Sequence, residues 1–124
     1  MNDMNSNNKP LDEEKSQSTP IDVEHLDKLT MGDVSVKEEV LKLFCEHSDS
    51  YIERLRSSQS AKDWREAAHS LKGSARGIGA WHVATQAEKL EALNECDVAR
   101  DRDRIIADLR DSIENVKSYI QKHS

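Results

Sequence analysis

Apolar side chains recur three and four residues apart over most of the chain, which is the spacing of one face of an α-helix. The apolar/polar alternation that marks a β-strand is absent. The pattern therefore predicts an all-α protein. Five helices are predicted, over residues 21–30, 35 to about 57, 60 to about 77, 80 to about 95, and from just after residue 97 to near the C-terminus.

Capping residues predict where these helices start and end. Ser35 and Glu38 have the spacing of a capping box, in which each side chain bonds to the other's backbone N–H, so the second helix is predicted to begin at Ser35. Ser60 followed by Asp63 predicts the start of the third helix. Its end is expected at residues 77–79, because the glycines there adopt left-handed backbone without steric cost.

The third helix carries a histidine opposite its apolar residues. A rotation of 100° per residue places these apolar residues on one face: Trp64, Ala68, Leu71, Ala75 and Ile78. His69 lies on the other face. Side chains in a helix lean toward its N-terminus, so Lys72 is expected to lean back toward the imidazole, while Gly73 leaves it open. A glycine inside a helix costs about 1 kcal/mol relative to alanine, which an exposed reactive group would explain.

Positive charge gathers on the face of His69. Four basic residues fall within about 60° of it, with Glu66 as the only acidic residue among them: Lys62, Arg65, Lys72 and Arg76. Because the net charge of the chain is −6, this basic stripe is a local feature, and it would neutralise an anion held at the histidine. The alternative interpretation is a solvated helix face with a chance histidine.

Composition limits the class of protein. The 124 residues suffice for one domain, and 34% charged with 4% aromatic residues is typical of a soluble helical protein. No apolar run approaches the roughly 18 residues of a membrane helix, and no signal peptide is visible, which predicts a cytoplasmic protein without a membrane partner. Acidity and few aromatic residues argue against nucleic-acid binding. Residues 1–20 are predicted to be a disordered tail and residues 21–124 the folded domain.

Other candidate sites are weak. Cys45 and Cys96 stand far apart in a helical chain without a signal peptide, so they are expected to be reduced and at least partly buried. Glu66 and His69 have half of the spacing of a di-iron site, but no second copy exists. His25 has no helical histidine partner and is expected to be solvated.

The stretch around His69 resembles a known signature. His69 is followed by Leu71, Lys72 and Gly73, with Gly79 ten positions after the histidine, and this arrangement is similar to that of the histidine-containing phosphotransfer (HPt) domain family. The likeness covers about residues 21–124. It implies an antiparallel four-helix bundle, with a short N-terminal helix over one end, whose histidine carries a phosphoryl group between aspartates of receiver domains.

Helix lengths place Glu91 beside His69. From a turn centred on Gly79, His69 lies ten residues, about 15 Å, down one helix, and Glu91 lies twelve residues, about 18 Å, down the next. A short connection makes the helices antiparallel neighbours, so the two side chains should lie at similar height. The resemblance implies a Glu or Gln here, bonded to the ring nitrogen that is not phosphorylated. An ordinary exposed glutamate is the alternative.

The resemblance also implies the other roles. His69 is the expected phosphoacceptor, Lys72 and Arg76 compensate phosphoryl charge, and Gly73 leaves room for in-line approach. Receivers dock on an apolar patch beside the histidine in this family. The candidates here are three residues that form a second stripe along the second helix, beside its core-facing residues: Val40, Leu43 and His47. Two basic residues of the third helix are further candidates: Lys62 and Arg65. Packing of the second stripe within the bundle is the equally open alternative.

We therefore expect a stand-alone phosphorelay intermediate that takes a phosphoryl group from the receiver of a hybrid histidine kinase and passes it to a response regulator. It is expected to be a carrier rather than an enzyme, a monomer, and free of cofactors, because the Mg²⁺ belongs to the receiver. A kinase dimerisation domain is one alternative, but an acidic residue usually follows its histidine, whereas Ser70 follows here. A helical interaction module without phosphorylation is the other.

Overall fold

A computed structural model describes residues 19–122, and every regular element in that range is an α-helix. The elements are α1 (Val23–Thr30), α2 (Val34–Ser57), α3 (Ala61–Ile78), α4 (Trp81–Glu91) and α5 (Glu95–Lys122). The prediction of an all-α protein with five helices is confirmed. The predicted tail, residues 1–20, lies almost wholly outside the described residues.

Helices α2 to α5 form the bundle. α3 packs against α2 and α4, α5 packs against the same two helices, and α1 lies on α2 and α3. Because the connections are short, consecutive helices run antiparallel. The arrangement is the expected four-helix bundle with a short N-terminal helix over one end.

One side of α3 is fully buried, and this fixes the direction of its other side. Five of its residues have no exposed surface: Trp64, Ala67, Ala68, Leu71 and Ala75. Burial of a leucine-sized side chain stabilises a fold by about 1.5–3 kcal/mol, so rotation of the helix about its axis would be costly. The residues between these positions therefore face solvent in a fixed orientation.

Asp22 fastens α1 over the turn between α3 and α4. Its Oδ1 accepts a hydrogen bond from the backbone N–H of His25, and its Oδ2 accepts one from Trp81 Nε1 at 2.9 Å. The bond from Trp81 is the main reason that the pKa of Asp22 lies below its ordinary value. Gly79 has a φ of +79°, and a Cβ there would lie 2.9 Å from Asp22 Cβ. Both the left-handed turn and the close approach of α1 therefore require glycine.

The predicted N-cap of α2, Ser35, lies two residues too late. Asp33 is the N-cap, its Oδ1 accepting from the backbone N–H of Val36 at 3.1 Å, and the helix begins at Val34. Ser35 therefore already lies inside the helix. Asp and Ser are both strong N-cap residues, and the one that comes first in the chain is used.

The predicted limits of the last two helices are also wrong. α4 ends at Glu91 rather than near Glu95, and α5 begins at Glu95 rather than after Asp97. The reason is Asn94, whose Oδ1 accepts from the backbone N–H of Asp97 at 2.8 Å. Such a side-chain bond caps a new helix, so the chain turns here.

Two further expectations about single residues need correction. His25 is not fully solvated: its Nε2 donates to the backbone oxygen of Gly77 at 3.2 Å, and its ring meets that of Trp81 edge-on at 5.0 Å. Both cysteines are free, as predicted, and Cys45 is half-buried, but Cys96 is exposed. The position of His25 depends on how α1 docks on α3, which local sequence does not indicate.

Met31 ends α1 with a φ of 55°, in the left-handed region, which costs a non-glycine residue about 1 kcal/mol. Its side chain is 91% exposed and contributes no packing. We therefore expect Met31→Gly to raise the free energy of unfolding by about 0.5–1 kcal/mol, measured by urea denaturation. Met31→Ala is the control, because it removes the same side chain but keeps the Cβ. Equal stabilisation by both substitutions would contradict the backbone explanation.

Candidate functional site

His69 stands on the solvent side of α3, as its position opposite the buried face predicts. The side chain is 67% exposed, although the residues on either side of it, Ala68 and Ser70, are buried and half-buried. An imidazole in this setting is open to a macromolecular partner. Its reactivity then depends on which ring nitrogen carries the proton.

Glu91 determines which nitrogen of the His69 ring is the hydrogen-bond donor. Its Oε2 lies 2.8 Å from His69 Nδ1, so the contact predicted from the helix lengths is present. A carboxylate can only accept a hydrogen bond, and therefore Nδ1 is the donor. In the neutral ring the lone pair is then on Nε2.

The other oxygen of Glu91 binds Lys72. Its Oε1 accepts from Lys72 Nζ at 2.7 Å, and the lysine side chain is only 15% exposed. These two bonds, that from Lys72 first and that from His69 second, hold the pKa of Glu91 below its ordinary value. The ammonium of Lys72 was expected to lean toward the imidazole, and its hydrogen bond is instead to the carboxylate.

Two glycines on the exposed side of α3 have no structural requirement to be glycine. A Cβ on Gly73 or on Gly77 would meet no heavy atom within 4 Å, and neither residue has a positive φ. Each costs about 1 kcal/mol relative to alanine in a helix. The space beside His69 at Gly73 is thus open to a partner and is not occupied by the bundle itself.

The other basic residues lie along the same face. Arg76 Nη2 is 3.8 Å from Glu88 Oε2, with both side chains more than half exposed, and such a pair is weak. Lys62 and Arg65 are exposed and stand about 10 Å and 6 Å before His69 along the helix axis. These three cations are available to an anionic partner.

The residues of the second stripe of α2 differ in their burial. Val40 is half-buried and packs against the core, whereas Leu43 is 40% exposed. His47 is exposed, and its ring lies 6.4 Å from that of Tyr51. The packing alternative thus applies to Val40, while Leu43 and His47 lie at the surface. Neither has a hydrogen bond or ring contact with His69 in the described part of the chain.

Two contacts that position the site escaped sequence reasoning. Trp64 Nε1 donates to the backbone oxygen of Leu90 at 2.8 Å, which fixes the chain directly before Glu91. Tyr51 Oη and Ser74 Oγ lie 3.4 Å apart and join α2 to α3. A signal existed for the first contact, since a buried indole N–H needs an acceptor and the last carbonyls of a helix lack one.

Within residues 19–122, no three His, Cys, Asp or Glu side chains are grouped so as to hold a metal ion. None of the helices in that range combines the length and the apolarity needed to cross a bilayer.

Comparison with known protein families gives a match. A family model described as Hpt domain matches residues 39–119, more than half of the chain. The matched range begins inside α2, ends inside α5 and includes the whole of α3 and α4. No significant match was found among curated proteins or among solved structures.

Proposed function

The chain belongs to the Hpt domain family, whose members carry phosphoryl groups on a histidine in phosphorelays and interact with receiver domains, and we propose that His69 is the phosphoacceptor of this one. The observation that carries the assignment is the environment of its ring. Nδ1 is held by Glu91 at 2.8 Å, the side chain is 67% exposed, and the lone pair of Nε2 is left for reaction.

The transfer step follows from this geometry. The Nε2 lone pair attacks the phosphorus of an aspartyl phosphate on a receiver. The N–P bond forms as the P–O bond to the aspartate breaks, and that electron pair stays on the carboxylate oxygen. The proton on Nδ1 does not move, so the ring becomes positively charged. Its N–H···O bond to the Glu91 carboxylate then joins two opposite charges and becomes stronger. Transfer to a second receiver is the reverse of this step.

Catalysis of this kind depends mainly on position and electrostatics. The phosphoryl group carries nearly two negative charges, which Lys72, helped by Arg76, compensates. Gly73 leaves the volume through which the phosphorus and the receiver's active site approach. The residues proposed to contact the receiver are the exposed part of the α2 stripe, with Val40 at its edge, and the flanking cations: Val40, Leu43, His47, Lys62 and Arg65.

The remaining features of the proposal concern the pathway. The donor is the receiver of a hybrid histidine kinase, and the acceptor is the receiver of a response regulator. The chain acts in the cytoplasm as a monomeric carrier rather than as an enzyme, and the Mg²⁺ that the transfer needs is held by the acidic residues of the receiver. No residue of this chain is assigned to a metal.

Incubation with receiver domains phosphorylated on their aspartate tests the proposal. We expect label to move to this chain as an acid-labile, base-stable adduct, and peptide mapping to place it on His69. ³¹P NMR should show phosphorylation on Nε2. Absence of transfer from every receiver of the host, or label on a hydroxyl residue, would reject the function in favour of a helical interaction module without phosphorylation.

Glu91→Ala should slow phosphoryl transfer about tenfold, because the ring loses the bond that fixes its proton and orientation. The bundle should stay folded, since Glu91 is the last residue of α4 and is not part of the hydrophobic core. Rapid-quench measurement of label transfer gives the rate, and circular dichroism gives the fold. Glu88→Ala is the matched control, one turn earlier on the same helix and 60% exposed. An unchanged rate in Glu91→Ala would remove its orienting role.

A further inference from the structure

The indole of Trp64 joins α3 to the last turn of α4. Its side chain is fully buried, and its Nε1 donates to the backbone oxygen of Leu90 at 2.8 Å. Leu90 directly precedes Glu91, whose carboxylate contacts the ring of His69. A core contact of α3 therefore lies one residue from the contact on its exposed face.

Leu90 is also the point at which the regular hydrogen bonding of α4 stops. In a helix that continued, its backbone oxygen would accept from the N–H four residues later. It accepts instead from the N–H of Leu93, three residues later, at 3.2 Å, and from Trp64 Nε1. Glu91 is the last residue of the helix. Because helix ends open most readily, the position of the Glu91 side chain depends on what holds this carbonyl.

The ring of Trp64 is itself held by the other two helices of the bundle. The guanidinium carbon of Arg102, on α5, lies 5.7 Å from the centre of the ring, within the range of a cation–π contact. Arg102 Nη1 also donates to the backbone oxygen of Arg56, near the end of α2, at 3.2 Å. The indole N–H is thus a fixed donor for α4, supported by α5 directly and by α2 through Arg102.

We propose that Trp64 is a positioning residue for phosphoryl transfer, which holds the end of α4 at the height where Glu91 reaches His69. This inference rests on the proposed phosphotransfer function. Trp64 lies on the buried face of α3, opposite His69, and acts only through the backbone of Leu90. A merely structural tryptophan would fill the same core volume without any need for its N–H.

Trp64→Phe tests the proposal, because it keeps a buried aromatic ring and removes the N–H. Trp81→Phe is the matched control: Trp81 Nε1 also donates one hydrogen bond, to Asp22 Oδ2 at 2.9 Å, but at the first residue of α4. The functional readout is the rate of phosphorylation by phosphoramidate. In that reaction Nε2 of His69 attacks phosphorus, and the P–N bond breaks with its electron pair leaving on ammonia. The structural readouts are urea denaturation and backbone hydrogen exchange of residues 88–93, and none of the three requires the natural receiver.

We expect both variants to unfold at lower urea concentration than the wild type, since each loses one hydrogen bond. Only Trp64→Phe should accelerate exchange over residues 88–93 and slow phosphorylation, by about fivefold, because the carboxylate is no longer held in place. In the Glu91→Ala background the same substitution should change the rate less than about twofold, since no carboxylate remains to be positioned. The loss of stability should be the same in both backgrounds.

An unchanged rate in Trp64→Phe, or an equal loss in Trp81→Phe or in both Glu91 backgrounds, would overturn the proposal and leave Trp64 with a packing role only. If Trp64→Phe does not fold, Arg102→Gln tests the same contacts by removing the guanidinium over the ring. It should slow phosphorylation about threefold, and only where Glu91 is present. If the wild-type chain accepts no phosphoryl group while exchange rises only in Trp64→Phe, the proposed function fails, and the hold of Trp64 on the end of α4 is supported by exchange alone.

Discussion

His69→Gln is expected to lower phosphoryl transfer at least about 10³-fold, because glutamine has no nucleophilic nitrogen to replace Nε2. The substitution leaves the fold intact. The side chain is 67% exposed, and exposed substitutions usually change the free energy of unfolding by less than about 0.5 kcal/mol. A glutamine amide can also donate to the Glu91 carboxylate in place of Nδ1. Loss of transfer in a folded variant therefore reports on chemistry and not on stability.

The measurement is transfer of label from a phosphorylated receiver, with urea denaturation of the same preparation. His82→Gln is the matched control, since His82 is also an exposed histidine but has no carboxylate partner among the described residues and lies outside the proposed receiver contact. Receiver binding is measured separately by titration calorimetry. Retained binding with lost transfer supports the phosphoacceptor role. Retained transfer in His69→Gln would place the phosphoryl group elsewhere and reject the mechanism.

The central contact of the site could be predicted because it depends on few variables. Gly79 ends α3 in left-handed backbone, and only two residues join α3 to α4. With the rise per residue fixed, this turn places His69 and Glu91 at similar height on adjacent helices. The burial of one face of α3 then determines that the histidine points outward. Local helix geometry and one short turn were sufficient.

The partner of Lys72 could not be predicted in the same way. Helix geometry gives the direction in which Lys72 leans, but whether its ammonium bonds to the ring or to Glu91 depends on the separation of α3 and α4. The bond from Trp64 Nε1 to the backbone oxygen of Leu90 helps to fix that separation. His25 is a similar case, because its bond to the Gly77 carbonyl exists only after α1 has docked. Such contacts depend on tertiary packing rather than on spacing within one helix.

The start of α2 was predicted wrongly for a different reason. Asp33 and Ser35 are both residues that cap helices well, and each is followed at the third position by a backbone N–H that its side chain could bind. Local sequence therefore allows two starts, and the earlier one adds two residues to the helix ladder. The end of α4 was predicted too late for another reason. Asn94 caps α5 and so interrupts a stretch that the apolar pattern alone would continue to Glu95.

The second large effect is expected for Gly73→Leu, which should slow transfer from a receiver about 100-fold while stabilising the helix. Leucine gains most of the roughly 1 kcal/mol that glycine costs within a helix, and the structure offers no obstacle to a Cβ at this position. The leucine side chain leans toward the N-terminus of α3 and covers the ring of His69. A misplacement of about 1 Å between reacting groups can cost 100-fold in rate.

Gly77→Leu separates the steric effect from the change in helix stability. Its Cβ position is equally open, and leucine is also a better helix former than glycine there. The residue, however, lies eight positions, about 12 Å, beyond His69. We expect both variants to unfold at higher urea concentration than the wild type, and only Gly73→Leu to lose transfer. Gly73→Ala should be intermediate in rate. If the rates of Gly73→Leu and Gly77→Leu fall equally, the open volume at Gly73 is not what admits the receiver, and a general stiffening of α3 explains the loss instead.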